Sequence, residues 1–580
     1  MEDGQIISLI CVRKIILCAL LLLISRILMA QSNNPVSIYE GYRIQSIAFS
    51  FENVDGDTLS ALEKKEKIRR IYKIYPQTQY SSFMASYYTS QIKLLGFVAD
   101  ATTEIYPFSE NEIEIQVHVI LSNDTIKSVV KENIFKNISS FPVIYSSPRT
   151  FFTFKAAASE MVYSNNNAWF GKEKELLNGN PLANHPVGAG YTAWLEGFAS
   201  LGIYGVVKII PKINLSLYGG VNYLVSFSAG NELFTNKARI YGAVEEAYIG
   251  FIGTGRTGKG HLYRYHALYG RKQFTLGDGF LIVNTAMNGD NRAALQLNPR
   301  WAAKSIFQAG FSWDRLTLQL FRIKPNELPI LQSNTIINGI NLELGNKDKM
   351  VIGISFLQVP RSNFKYYLPD GTSHSRKGMQ VYNIRVFRTD AIGKGGLIFK
   401  AEGAYARNSH FNMSAWAYYG EIGWRFSSVK TSPTLSYRYA SFSGDNPKTA
   451  SYNRWDALYT GGNGEQWVQG SNMYKIVQNS NEISHRLQIS CFPVKKLQLV
   501  GQVWLFYASQ KMNLGGNPAL SILSSKIYGS EYNLTIKFFL SRQWYFHLNT
   551  AYTIPGKAIK ELVTNTKHWF CLSVFARYSF

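Results

Sequence analysis

The stretch Ala415–Phe426, AWAYYGEIGWRF, decides the fold. Trp416, Tyr418, Ile422, Trp424 and Phe426 share one parity, and Tyr419, Glu421 and Arg425 share the other. Successive side chains of a β-strand point to opposite faces, so one face is large and apolar and the other carries charge. A soluble sandwich also alternates, with its apolar face turned inward. Here charges stand mid-strand opposite very large aromatic faces, and aromatics gather near strand ends. That combination suits the reverse arrangement, apolar side to lipid and polar side to an interior.

The same parity recurs along the chain. RLTLQLF sets Leu316, Leu318 and Leu320 against Arg315, Thr317 and Gln319. TLSYRY opposes Leu435, Tyr437 and Tyr439 to Ser436 and Arg438; RLQISC opposes Leu487, Ile489 and Cys491 to Arg486, Gln488 and Ser490. YNLTIKF places Tyr532, Leu534, Ile536 and Phe538 opposite Asn533, Thr535 and Lys537. From about Pro148 to Phe580 such runs are separated by Gly, Asn, Asp and Ser loops, and none reads as a long amphipathic helix. They predict a mainly β fold, a transmembrane antiparallel barrel of about 16–18 strands over residues 148–580. Closure satisfies every backbone hydrogen bond, which an open sheet in lipid cannot do. The last run, FCLSVFARYSF, puts Phe570, Leu572, Val574, Ala576, Tyr578 and Phe580 on one face. It resembles the terminal strand that the barrel-assembly machinery recognises, with Tyr578 and Phe580 as its signal and that machinery as an expected partner.

Composition agrees. Of 580 residues, 14% are aromatic, with 36 Tyr and 35 Phe, residues that favour strands and, for Tyr, the membrane interface. Mean hydropathy is only -0.10, which argues against a helical membrane protein. Lys and Arg number 61 against 38 Asp and Glu, a formal charge of +23 that points to anionic partners. Residues 1–30 read as an export signal: Lys14 precedes the apolar run IILCALLLLIS, and Ala30 fits a cleavage position. Export argues against nucleic acid as the anion. The alternative is an uncleaved anchor helix, which Arg26 within the apolar stretch disfavours. Cys11 and Cys18 fall in the signal, and Cys491 and Cys571 are too far apart in sequence for a disulfide framework or zinc spacing.

A connector (31–41) leads to a small α+β module at 42–125. Ile44–Phe51 reads as a strand, Leu59–Ile74 and Ser82–Gly96 as helices with Gly96 as a C-terminal stop, and FVADATTEI and Asn111–Leu121 as strands. In the last, Ile113, Ile115, Val117 and Val119 alternate with polar neighbours as one buried face requires. This order resembles a POTRA domain, a periplasmic module of barrels that insert or secrete polypeptides. The resemblance implies a periplasmic position and a periplasmic protein partner; any small α+β module fits the pattern equally.

Two stretches bear on the barrel's family. The first is YGRKQFTLGDGFLI (Tyr269–Ile282); the second is RWDALYTGGNGEQWVQGSN (Arg454–Asn472), followed by a hairpin of Arg486–Phe492, Pro493 and Leu497–Tyr507. Together they resemble the alginate-export-like, porin-like outer-membrane barrels. Gly270, Arg271 and Lys272 match its Gly-Arg-Gln strand with Lys in the Gln place, and Asp456, Leu458 and Tyr459 match its loop. The resemblance implies about eighteen strands and a lumen lined by Lys and Arg that passes anionic polysaccharide or other solutes. A folded N-terminal module departs from a simple exporter.

No catalytic chemistry stands out. GTGRTGKG (Gly253–Gly260) nearly spells a phosphate-binding loop, but Gly260 stands where a Ser or Thr must be, and a strand follows. Ser484 and His485 are adjacent on a strand and so point apart. Neither cofactor nor metal is expected, and the protein is read as no enzyme. The remaining chemistry is electrostatic. Alternation turns Arg315, Arg385, Lys400, Glu402, Glu421, Arg425, Arg438, Arg486 and Lys537 inward, because an Arg or Lys on the lipid face costs roughly 2–4 kcal/mol near the midplane. With Lys272, the cations of this set are the candidate anion contacts of the lumen. Their other reading is that they pair with Glu402 and Glu421 and fill a plugged barrel. The expected function is an outer-membrane channel for anionic solutes or oligosaccharides; the alternatives are a polypeptide-handling barrel or a non-transporting surface barrel.

Overall fold

The computed structural model describes residues 39–580 except 54–58, 76–77, 110–111, 122–141, 260, 347–349, 369–371, 389–395, 447, 450, 462–466, 495, 513–520 and 542. The expected signal, Cys11 and Cys18 lie outside the described residues.

The N-terminal module runs β1 (Arg43–Glu52), α1 (Leu59–Ile71), α2 (Ser82–Lys93), β2 (Val98–Ser109) and β3 (Glu112–Leu121). Its sheet has the order β1-β3-β2, with β1 parallel and β2 antiparallel to β3. The alternating face of β3, Ile113, Ile115, Val117 and Val119, is buried with Ile44, Ile68, Tyr72 and Ile92. The helices thus close a core of the module's own. Both end earlier than the sequence suggested. At α2 the Leu94 N–H bonds to Ser90 O (3.3 Å) and Leu95 N–H to Ile92 O (3.0 Å), so the last turn tightens before Gly96 is reached.

A short β4 (Val143–Ser146) pairs with the start of β5 (Thr150–Asn166). The wall continues through β6 (Tyr191–Ile210), β7 (Leu215–Gly230), β8 (Arg239–Arg256), β9 (Leu262–Arg271), β10 (Ser305–Trp313), β11 (Leu316–Lys324), β12 (Ile336–Asn346) and β13 (Met350–Arg361). β14 (Lys365–Tyr367) and β15 (Ser373–Ser375) form a separate loop hairpin. The wall resumes with β16 (Met379–Arg388), β17 (Gly396–Asn408), β18 (Ser414–Arg425), β19 (Thr434–Phe442), β20 (Glu482–Val494) and β21 (Leu497–Tyr507). It ends with β22 (Ile527–Phe539), β23 (Trp544–Pro555) and β24 (Trp569–Ser579). Among the described residues, 18 strands make one closed antiparallel barrel, at the upper end of the expected number. β24 closes it on β5, from Phe570 opposite Asn166 to Ser579 opposite Ala157, and Phe580 N–H bonds to Ala156 O at 3.0 Å.

The register obeys the alternation. Ile422 and Trp424 are 55% and 50% exposed, while Glu421 and Arg425 between them are 7% and 6% exposed. Leu435, Tyr437, Leu487, Ile489, Tyr532 and Leu534 lie on the same outer surface. Ser484 faces in and bonds Gln469, whereas His485 faces out against Tyr437. Among the described residues no helix is long and apolar enough to cross a membrane, which says nothing of strands. Cys491 and Cys571 are free.

Strand ends differ at the two mouths. One mouth has short turns such as Asp314–Arg315; the other has long connections, 272–304 and 443–481 among them. Outer-membrane barrels keep short turns on the periplasmic side.

Candidate functional site

Inside the barrel, three parts of the chain converge: the wall, the inward connections 272–304 and 443–481, and the N-terminal module. The module is seated within the short-turn mouth. Contacts reach the wall on opposite sides. On β5 and β6, Phe83 packs on Phe151 and Tyr204 (ring centroids 6.2 and 5.5 Å) and Tyr87 on Phe151 (5.5 Å). Gln91 Nε2 donates to Ser147 O at 3.0 Å. On β8 and β9, Lys73 donates to Thr254, and Arg264 stacks over Tyr75. Tyr39 meets Phe539 of β22 at 6.0 Å.

Facing α2 across the barrel, the module tip enters a buried charge cluster. Arg43 Nη2 lies 3.5 Å from Glu343 of β12 and its Nη1 3.7 Å from Asp278, which the 272–304 connection carries inward. Arg385 of β16 holds Glu343 at 2.6 Å. Lys400 of β17 lies 3.3 Å from Glu112 of the module and 3.4 Å from Asp278. Burial would raise the Asp278 carboxyl, but Lys400 and Arg43 outweigh it and hold it below the usual carboxylate range.

The predicted cations fall into distinct settings. Arg385 and Lys400 join this cluster. Arg438 and Arg486 grip the two oxygens of Glu421 at 2.7 Å each, and Arg438 stacks under Trp467 of the 443–481 connection at 4.8 Å. Arg425 is buried with its Nε 3.3 Å from Thr434 Oγ1. Lys272 lies over the Tyr248 ring at 4.1 Å. Lys537 lines a cavity of about 640 Å³ that also receives His547 and Arg577 from β23 and β24, with Lys155 and Tyr42 nearby. Arg315 departs from expectation. It sits exposed in the β10–β11 turn after Asp314, whose positive φ of 46° ends the strand, so alternation no longer applies to it.

The family-motif positions fix loops, and Leu458 and Tyr459 also line the cavity. Gly270 has φ 140°, and a Cβ there would fall 2.2 Å from Ala247 O, so only glycine lets β9 lie against β8 at this point. Arg271 Nε is 3.4 Å from Glu245 O. Asp456 accepts from Arg376 Nε (2.7 Å) and Nη2 (3.0 Å), from Tyr366 OH (2.5 Å) and from Leu458 N (2.8 Å). Tyr459 donates its hydroxyl to Glu327 (2.9 Å), and its carbonyl accepts from Val283 N (3.0 Å), joining the two inward connections. Tyr578 packs on Trp544 (5.0 Å) and Phe580 on Phe154 (6.2 Å) at the seam.

Sequence reasoning missed a set of wall carboxylates that hold the inward connections by backbone N–H groups. Glu196 accepts from Leu297 N, and Glu245 from Trp301 N and Ala302 N at 2.7 Å each. Glu531 accepts from Asn472 N (3.0 Å) and Met473 N (2.9 Å), heading the short helix α3 (Met473–Val477). Their signal is inward parity at a strand position, but the partners lie 56 residues or more away along the chain for each of these bonds.

A closed barrel that turns apolar and aromatic side chains outward around a charged interior has the architecture of an outer-membrane β-barrel. Residues 376–571 match the family described as alginate export. No curated protein matches the chain. Solved structures that resemble it include OccK11 (OpdR) of Pseudomonas aeruginosa, with 10% identity over 74% of this chain and 96% of that one at a TM-score of 0.42. OprD of the same organism shows 11% identity over 74% and 94% at 0.42. A BenF-like porin of Pseudomonas fluorescens Pf-5 shows 10% identity over 74% and 98% at 0.44.

Proposed function

We propose that the protein is an outer-membrane channel that passes acidic solutes or oligosaccharides. The observation that carries this reading is the cationic wall of the cavity: Lys537, His547 and Arg577 follow one another on β22, β23 and β24, facing inward. Cations on a low-dielectric wall lower the entry cost of an anion and offer hydrogen bonds to carboxylate. The reading involves no catalytic step. Reversal potentials across planar bilayers in a salt gradient test it: the wild type prefers anions, and Lys537→Glu with Arg577→Glu moves the potential toward cation preference. A cation-selective wild type refutes the anionic substrate, and a barrel without conductance is a surface barrel instead.

The strand–helix–helix–strand–strand order of the module supports a second reading, a POTRA-like unit that handles polypeptide. Crosslinking of the module to nascent outer-membrane proteins separates the two; a module that captures none is not such a unit.

A further inference from the structure

We infer that the N-terminal module is a displaceable plug that hinges on its aromatic α2 seat and opens the lumen by releasing its ion-paired tip. The inference rests on the channel reading and adds the device that closes it.

Occlusion follows from where the module touches the wall. Going round the barrel from the seam, β5 and β6 are the first and second strands, and β12, β16 and β17 are the eighth, tenth and eleventh. A unit that packs on the first pair through Phe83 and Tyr87 and on the latter through Arg43 and Glu112 spans the diameter. Intermediate contacts at β8, β9 and β22 fill in the circumference.

Removal of the tip strands no charge on the barrel side. Arg385 keeps Glu343 at 2.6 Å, and Lys400 keeps Asp278 at 3.4 Å. Arg43 and Glu112 are extra partners added to two pairs that are complete without them. A buried charge stripped of its partner is strongly destabilising, so a permanent plug gains by having wall charges that depend on it. These do not depend on it. On the module side, Arg43 and Glu112 would move into water, where both are solvated. Within the module Ile44, Ile68, Tyr72, Ile113, Ile115 and Val117 are buried together, which lets it move as a folded body, and the same apolar cluster continues into wall residues such as Phe151 and Tyr204.

The two attachments differ in kind. The α2 side is aromatic, next to β4 and β5, and Ser90 Oγ bonds Ser146 Oγ there. Exposure of those rings would be costly, whereas Arg43 and Glu112 at the tip are held by ion pairs. Motion therefore pivots at α2 and opens at β12–β17.

Two double-cysteine variants of the full chain test this. Ser90→Cys with Ser146→Cys joins the α2 seat by a disulfide. Glu112→Cys with Lys400→Cys, bridged by a short reducible bis-thiol linker, ties down the tip. Single-cysteine variants report any background. Single-channel recording is paired with the labelling rate of Glu112→Cys by a membrane-impermeant maleimide, since Glu112 is only 1% exposed when seated. The tied tip is expected to abolish channel openings until reductant is added, and the tied α2 seat to leave them unchanged. Arg43→Met should raise labelling about tenfold, which equals about 1.4 kcal/mol of seating free energy. Openings that persist with the tip tied, or labelling unaltered by Arg43→Met, overturn the hinge. If no variant conducts yet labelling still rises, the channel reading fails and the plug motion stands.

Discussion

At the scale of single residues, the wall carboxylates set how firmly the lumen contents are held. Glu531 heads α3 with three backbone hydrogen bonds, from Ser471, Asn472 and Met473 N–H, and a fourth from Thr553 Oγ1 at 2.9 Å. Hydrogen bonds to a charged group contribute about 1.5–3 kcal/mol each at most, and an amide can accept only at one oxygen. Glu531→Gln should therefore loosen the 467–481 segment without unfolding the barrel. Limited proteolysis there should quicken about tenfold, a loss of about 1.4 kcal/mol of local stability, with Glu531→Asp intermediate. Equal protease resistance in the Gln variant would mean the carboxylate is not what holds the segment. Alternation made the inward parity of Arg385, Lys400, Arg438 and Arg486 legible. Glu421 was also legible as a partner, and it holds Arg438 and Arg486, whereas Arg43–Glu343 and Lys400–Glu112 join residues hundreds of positions apart, and a pairing at that range depends on the whole barrel register.

At the scale of elements, strand reading worked because each strand has one lipid face, and a one-residue slip would turn that face inward. Ile422→Arg on β18 should cost about 2–4 kcal/mol if this surface lies near the bilayer midplane, measured by reversible unfolding in liposomes; a neutral substitution would place the residue away from lipid. Helix ends read less well. Gly96 looked like the stop of α2, but β2 must begin at Val98 to pair with β3, so the chain turns early through Leu94 and Leu95. The seating of α2 has a pH signature. Burial would raise the Glu40 carboxyl, yet Lys155 at 3.3 Å and the Ser82 N–H and hydroxyl outweigh it and hold the group low. A carboxyl held low in the folded state stabilises it above its unfolded pKa of about 4.3, and that contribution fades as pH falls through the lowered value. Maleimide labelling of a cysteine at Ser90 should therefore increase as pH drops below about 4.3, after correction for thiolate content, and Glu40→Gln should flatten the acid step. A step of full size in the Gln variant would assign it to another group.

At the scale of the whole molecule, the excess of 61 basic over 38 acidic residues is not spent in the lumen as the sequence suggested. Much of the interior charge is paired, whereas the short-turn rim exposes Arg149, Lys212, Arg256, Lys259, Arg315, Lys430 and Lys496. Net charge could be counted from sequence, but its distribution could not, because turn and wall positions differ only once strand ends are known. Arg315 is the case in point: it follows the parity of β11 and yet lies beyond its end. Rim charges and cavity charges should be separable by salt. The Debye length is about 10 Å at 0.1 M and about 3 Å at 1 M, so exposed rim charges act on approaching anions only in dilute salt. On the proposed channel reading Lys537 and Arg577 would meet the ion at contact distance and be screened far less. Reversing Lys212, Arg256, Lys259 and Arg315 to Glu should lower anion current at 0.1 M and leave it unchanged at 1 M, while Lys537→Glu with Arg577→Glu should alter selectivity at both. An effect of the rim variants that survives 1 M salt would place those residues on the conduction path itself.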